Sequence, residues 1–295
     1  MFGKVGYHQL LTCIHLLLYT DINMSHSSDE EDGFAGDLFG VEDEQDVPQI
    51  EPTFEVYKRE TTSQDSTPKE LTIKLVGSHP LWAHHLWNAS KVFASLFDTN
   101  PQLVKGKYVL ELGAGGALPS LVAALNGASK VVVTDYPDKE LIDNIQYNVD
   151  HNIPQLHSVV VEGYVWGTAT DKLKSHLPTS QKTFDVLILS DLVFNHSQHH
   201  AMLKTCRELL TPNTGRVYVF YTHHRPHLAH RDLEFFEIAK RPVRDDVDPE
   251  DRELLGYGFK VDHFMTQRMG VMFKEDPGDE EVRATVHGWQ LWLEE

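Results

Sequence analysis

Cysteine is nearly absent: Cys13 and Cys206 are the only two in 295 residues. Two widely separated thiols make neither a disulfide framework nor a zinc spacing, so stability must come from a packed core in a reducing compartment. Cys206 falls within a helical apolar pattern and reads as a core residue. Long hydrophobic runs are missing as well. Residues 10–19 (LLTCIHLLLY) are apolar but half the length of a membrane-spanning helix, about 20 residues. His15 interrupts that run and no small-x-small cleavage site follows it. Basic residues are in deficit, with 26 Lys and Arg against 44 Asp and Glu, a formal net charge of −18. That balance disfavours a general nucleic-acid binder, which needs clustered cations, and suits a basic protein partner better. No internal repeat is visible.

What remains is ordinary globular usage, 41% hydrophobic and 24% charged, in a chain long enough for one large domain. Eleven Asp or Glu and no Lys or Arg occur between Asp29 and Glu55. A stretch that repels itself and has little apolar surface is expected to be disordered, so residues 24–53 read as an acidic tail. The composition changes abruptly at Met24, and residues 1–23 are expected to be a leader or a gene-model extension. The folded body is expected at 54–295.

Alternating apolar and polar residues at 54–57 and 71–76 predict a β-hairpin, and apolar spacing over 81–97 predicts a helix. From residue 108 short apolar strands alternate with helices. Strands are expected at 108–112, 130–134, 159–161, 183–190 and 216–221, with helices at 118–126, 137–149, 198–210 and 233–239. The last two strands, 259–264 and 286–293, leave no room for an apolar helical crossover and are expected to pair antiparallel. The fold class is therefore α/β: a doubly wound, mostly parallel seven-stranded sheet with an antiparallel last strand, plus an N-terminal hairpin and helix.

Ligands of such sheets bind beyond the carboxyl ends of the strands. Gly113-Ala114-Gly115 follows the first strand of the body, where glycines allow a sharp turn and close backbone approach. Asp135 ends the next strand, 22 residues after Gly113, where a carboxylate can accept hydrogen bonds from a ribose diol. Together these point to a nucleoside cofactor, although a G-x-G pair alone can serve only a turn. A dinucleotide needs a small residue where this chain has Leu118, and Glu111 before the loop would oppose a pyrophosphate if it points inward. Such an acid suits a cationic amino-acid end instead.

Leu110-Glu111-Leu112-Gly113-Ala114-Gly115 resembles the first motif of class I, seven-stranded S-adenosyl-L-methionine-dependent methyltransferases. Further segments are Val76-Gly77-Ser78-His79-Pro80-Leu81-Trp82, Leu118-Pro119-Ser120, Thr134-Asp135-Tyr136-Pro137-Asp138, Tyr164-Val165-Trp166-Gly167 and Leu189-Ser190-Asp191-Leu192-Val193-Phe194-Asn195-His196. Together they resemble the fungal protein N-terminal and lysine methyltransferases that act on translation elongation factor 1A, once described as nicotinamide N-methyltransferases. The resemblance spans 54–292.

The resemblance implies S-adenosyl-L-methionine as cofactor, held by Trp87, Gly113, Ala114, Gly115, Asp135, Trp166 and Ser190. It also matches Asp191 to Phe194 to a D-x-x-F/Y signature that lines the passage between cofactor and amine, making Asp191, Phe194 and Asn195 the catalytic candidates. His196, Tyr221, His223 and His224 are further candidates for shaping the acceptor pocket. The implied substrate is elongation factor 1A, with no direct nucleic acid, membrane or metal involved, for a cytoplasmic monomer. A nicotinamide-like N-methyltransferase, an NAD-dependent oxidoreductase and a non-catalytic interaction protein on the same fold are the alternatives.

Overall fold

Short runs rich in Val, Leu and Ile, each closed by a glycine or an acid, form the strands of the central sheet, as expected of segments buried on both faces. The computed structural model describes residues 51–59, 68–244, 246, 248, 251 and 254–294. Residues 1–23 and nearly all of the acidic segment lie outside the described residues.

The hairpin pairs β1 (Thr53–Lys58) antiparallel with β2 (Glu70–Leu75) as a separate two-stranded sheet. Helix α1 (Asn88–Thr99) follows, and then the alternating body: β3 (Tyr108–Leu112), α2 (Leu118–Leu125), β4 (Lys130–Asp135), α3 (Lys139–Asn152) and β5 (Val159–Gly163). After a short α4 (Asp171–Lys174) come β6 (Val186–Ser190), α5 (His199–Leu209), β7 (Arg216–Thr222) and α6 (Ala229–Lys240). The chain ends with β8 (Lys260–Arg268), the short α7 (Glu280–Ala284) and β9 (Thr285–Trp292).

The seven strands lie in the order β5-β4-β3-β6-β7-β9-β8. The first five are parallel, and β9 runs antiparallel to both β7 and β8. Side chains alternate between two cores. Val109, Val131, Ile188 and Phe220 face α1, α2 and α3, whereas Leu110, Val132, Leu189 and Val219 face α5 and α6. The chain builds outward from β3 through β4 to β5, then returns to place β6 on the other side of β3. The switch point is therefore the gap between the carboxyl ends of β3 and β6, where a ligand crevice forms in this architecture.

The helix expected over 81–97 starts only at Asn88. Its apolar spacing was read correctly from Ala89 onward, but residues 79–87 are turns. Trp82 has φ +61°, which a helix cannot accommodate. The other expected boundaries agree to within a few residues.

Two polar devices attach the hairpin to the body. Arg59, just past β1, forms a buried pair with Asp98 of α1, at 3.0 Å from Nε and 2.5 Å from Nη2. Among the described residues the outer edge of β2 has no third strand; α3 supplies asparagine side chains at i, i+4 and i+8 instead. Asn152 accepts from the Thr72 amide and donates to the Thr72 carbonyl, both at 2.9 Å. Asn148 does the same for Lys74 at 2.8 Å, and Asn144 adds a second donor to the Lys74 carbonyl. Asn148 also donates to the Gly116 carbonyl at 3.1 Å, joining the hairpin to the glycine loop.

Asn148→Ala removes the acceptor for a backbone N–H and a donor to two carbonyls in a fully buried position. It should lower the unfolding free energy by about 2–4 kcal/mol, read from urea denaturation. A midpoint unchanged from wild type would show that the amide ladder contributes nothing.

Candidate active site

The loop after β3 turns back on itself through three left-handed residues, Gly113 (φ +58°), Gly115 (φ +53°) and Ala117 (φ +60°). Gly113 has a steric reason too: a Cβ there would lie 2.8 Å from the Leu192 Cδ2 and 3.0 Å from the Trp166 ring. Leu192 follows β6 and Trp166 follows β5, so three strand ends converge on this one glycine. The Ala114 amide donates to the Thr134 carbonyl at 3.0 Å, which pins the loop across to β4.

Asp135, at the end of β4, is almost wholly buried. Its Oδ2 accepts from the Gly115 amide at 2.8 Å and its Oδ1 from the Tyr136 amide at 2.7 Å. Burial raises its pKa above the ordinary carboxylate value, against the two amides, which pull it down. Each oxygen keeps a lone pair for a ligand hydroxyl.

Glu111 does not line an open crevice. Its carboxylate is fully buried under the first turn of α2, where Oε2 accepts from the Ser120 amide at 3.1 Å and from the Ser120 hydroxyl. The α2 N-cap is Ala117, which has no side-chain acceptor, so Glu111 supplies the missing cap from the neighbouring strand. Burial pushes its pKa up to about 8, and its Oε1 has no partner.

Across the switch point, Ser190 ends β6 with a buried hydroxyl that has no hydrogen-bond partner. Asp191 follows in the left-handed region, φ +58°, an uncommon conformation for a non-glycine residue. Its Oδ1 is taken by His224 Nε2 at 2.9 Å and by the Thr222 amide at 3.3 Å. Its Oδ2 is buried and unpartnered. The β6 end thus carries two buried polar atoms, the Ser190 Oγ and the Asp191 Oδ2, with no partner among the described residues. Buried atoms of this kind are costly unless a ligand satisfies them.

Phe194 and Asn195 are half-buried in the same loop, with the Asn195 amide closing a turn on the Leu192 carbonyl at 3.1 Å. Ser197 does not cap α5, because residues 196–198 form a 3-10 turn ahead of it; its hydroxyl instead donates to Asn195 Oδ1 at 3.3 Å. Trp166 packs against the Leu189 and Val219 side of the core and reaches the glycine loop. Trp87 lies at the start of α1, its ring 4.9 Å from that of His224 and its Nε1 donating to the Trp82 carbonyl at 3.2 Å.

Of the remaining candidates, His196 and His223 share a buried carboxylate that sequence reading missed. His196 Nε2 lies 2.8 Å from Asp232 Oδ1, and His223 Nδ1 lies 2.7 Å from Asp232 Oδ2. Burial would raise the Asp232 pKa, but hydrogen bonds from the two imidazoles bring it below the usual range. Asp232, on α6, therefore ties the loop after β6 to the loop after β7. Tyr221 is a buried core residue, its ring 5.0 Å from that of His223. Asp232 lies nine residues after His223 but 36 after His196, and it sits in a charged helix, so no local pattern marks it.

The switch-point crevice, with a left-handed glycine loop on one side and a half-satisfied aspartate on the other, defines a class I, seven-stranded methyltransferase. Residues 65–242 match the family model described as "Lysine methyltransferase". The chain is 43% identical over 288 residues to the "Protein N-terminal and lysine N-methyltransferase EFM7" of Cryptococcus neoformans, covering 90% of this chain and 91% of that protein. It is 44% identical over 275 residues to the protein of that name in Eremothecium gossypii, covering 90% and 98%. For Schizosaccharomyces pombe the figures are 43% over 228 residues, covering 77% and 84%. The chain belongs to the lysine methyltransferase family and is an S-adenosylmethionine-dependent protein methyltransferase.

His224 has a raised pKa: burial lowers it, but the charge and hydrogen bond of Asp191, aided by Asp232 and Asp276, outweigh that. A folded-state pKa above the unfolded value stabilises the protein fully below about 6.5, and the contribution is lost as pH rises through the folded value. The stability gap between wild type and His224→Gln should therefore be larger at pH 6 than at pH 9, measured by urea midpoints. A gap that widens with pH contradicts the pair.

Proposed function

We propose that this enzyme methylates the N-terminal α-amine and the adjacent lysine of translation elongation factor 1A, in the cytoplasm. The support is the activity for which the relatives are named, N-terminal and lysine methylation, together with the unpartnered Asp191 Oδ2 beside the switch point. The residues around that point fit S-adenosylmethionine. Asp135 can take the ribose hydroxyls, Gly113 to Gly115 let the backbone approach, Trp166 can lie against the adenine, and Trp87 and Ser190 close the methionine end.

When bound, the cofactor supplies an electrophilic methyl group. The chain's own residues have to deliver a neutral nitrogen in line with it and keep water away, which is where most of the acceleration in such a displacement originates. Asp191 Oδ2 accepts one N–H of the acceptor and so directs the lone pair. His224 Nε2, hydrogen-bonded to Oδ1 at 2.9 Å, holds the carboxylate so that Oδ2 is left for the acceptor. Phe194 covers the passage. An α-amine titrates near 7.7–8.0 and a lysine near 10.4, so the terminal amine is easier to present neutral by about 3.4 kcal/mol. On that basis the terminal amine reacts first and the lysine depends more on desolvation.

The test is transfer of labelled methyl to purified elongation factor 1A, to a peptide carrying its N-terminus, and to free nicotinamide. Label in the protein and peptide but not in nicotinamide is expected; label only in nicotinamide defeats the proposal. Asp191→Ala should lower kcat by about 100-fold or more, with the cofactor dissociation constant changed little. Asp135→Ala should weaken cofactor binding by about 10- to 100-fold in isothermal titration, with the fold retained by circular dichroism. An unchanged dissociation constant would remove Asp135 from the ribose site.

A further inference from the structure

Arg283, on α7, carries a guanidinium that is only 7% exposed and pairs with no carboxylate among the described residues. Its Nη1 donates to the Phe273 carbonyl at 2.8 Å, and its Nε is buried with no partner. A buried cation in this state is costly unless an anion meets it. Thr222, the last residue of β7, is a second group of the same kind. It is 1% exposed, its amide is committed to Asp191 Oδ1 at 3.3 Å, and its Oγ1 has no partner.

Both residues lie against the start of α1. Side chains alternate along β7, so Thr222 leaves the sheet on the face of Phe220, whose ring meets that of Phe93 on α1 at 4.2 Å. Val286, three residues after Arg283, pairs with Thr222 across β9 and β7. The loop that Arg283 holds reaches the same place. Asn88, the first residue of α1, donates from Nδ2 to the Gly270 carbonyl at 2.6 Å, and the Phe273 ring lies 6.1 Å from that of Trp87. Helix α1, 12 residues long, starts there with no side-chain cap and no acid in its first turn. Its first N–H groups and its dipole favour negative charge. An unpaired guanidinium, an unpartnered hydroxyl and an uncapped helix thus converge at the carboxyl end of β7, and each lacks the same thing, an anionic acceptor.

We propose that Arg283, Thr222 and the start of α1 form a carboxylate subsite that takes the α-carboxylate of the cofactor's amino-acid end. The inference rests on the S-adenosylmethionine reading above and extends it to two residues on β7 and α7. Arg283 Nε can donate to one carboxylate oxygen and Thr222 Oγ1 to the other, as charge-assisted hydrogen bonds. Of the parts of that cofactor only the carboxylate is an anion; the sulfonium and the amine are cations and the nucleoside is neutral. The subsite therefore selects one end of the ligand by the sign of its charge. Binding meets the buried donors that the unliganded chain leaves unmet.

Calorimetric titration of the full chain with S-adenosylhomocysteine and with its decarboxylated analogue tests the subsite. The wild type should prefer the carboxylate-bearing ligand by about 100-fold. Thr222→Val should weaken that ligand by about tenfold and Arg283→Gln by about 30-fold, with the analogue bound within about twofold of wild type by both variants. Thr222→Val should also leave the urea midpoint of the unliganded chain unchanged or raised, because it removes an unmet buried hydroxyl. A preference undiminished in either variant, or equal weakening of both ligands, overturns the subsite. So does equal binding of the two ligands by the wild type; loss of acceptor-peptide affinity in Arg283→Gln would then assign the site to a carboxylate of the acceptor. No binding of either ligand by the wild type defeats the cofactor reading itself, and the subsite with it.

Discussion

Asp191 holds an uncommon backbone conformation at the end of β6, with one carboxylate oxygen engaged by His224 and the Thr222 amide and the other buried without a partner. A carboxylate half satisfied in this way is expensive in an unliganded interior, because each buried acceptor lacking a donor costs a substantial fraction of the protein's net stability. The arrangement persists because the surrounding structure leaves it no alternative. The Asp191 amide is bound to the Phe220 carbonyl at 2.7 Å, which anchors the residue to the next strand before its side chain turns. Strain concentrated at such a point is what a fold tolerates where a ligand supplies the missing bond.

The rest of the site depends on that residue through short polar links. His224 connects it to the Trp87 ring and so to the N-terminal segment, while the neighbouring His223 joins Asp232 and, through it, His196 on the loop that Asp191 itself begins. Each loop is thereby secured by a carboxylate with histidine partners instead of by regular backbone pairing. On the opposite side of the switch point the same economy holds: Glu111 caps α2 from a neighbouring strand, and Asp135 grips the glycine loop by the Gly115 amide. Four buried acids thus organise the strand ends, and two of them, Glu111 and Asp191, keep a carboxylate oxygen without a partner among the described residues.

The hairpin contributes more than cover. Its outer edge is completed by asparagine amides spaced four apart on α3, which satisfy the strand as a further strand would without exposing a new edge. Since Asn148 also holds the Gly116 carbonyl, the hairpin and the glycine loop share one side chain. The aromatic segment that follows β2 is consequently referenced to the same frame as the cofactor side of the crevice.

Much of this was legible in the chain itself. Alternation of apolar strands with helices, and acids or glycines at the strand ends, determined the seven-stranded order of elements, because period and turn chemistry are local properties. The glycine loop and Asp135 were readable for the same reason, being adjacent to strands whose ends they mark. Whether Glu111 points into the crevice was not legible, since strand alternation shows that a side chain leaves the sheet but not that Ser120 waits above it. Residues 81–87 carried helical spacing and still formed turns, because contacts with Phe273 and His224, almost 190 and 140 residues away, outweigh a weak local preference. Asp232 gave no signal: its bond to His196, 36 residues away on the loop after β6, exists only once parallel strands have brought their carboxyl ends together.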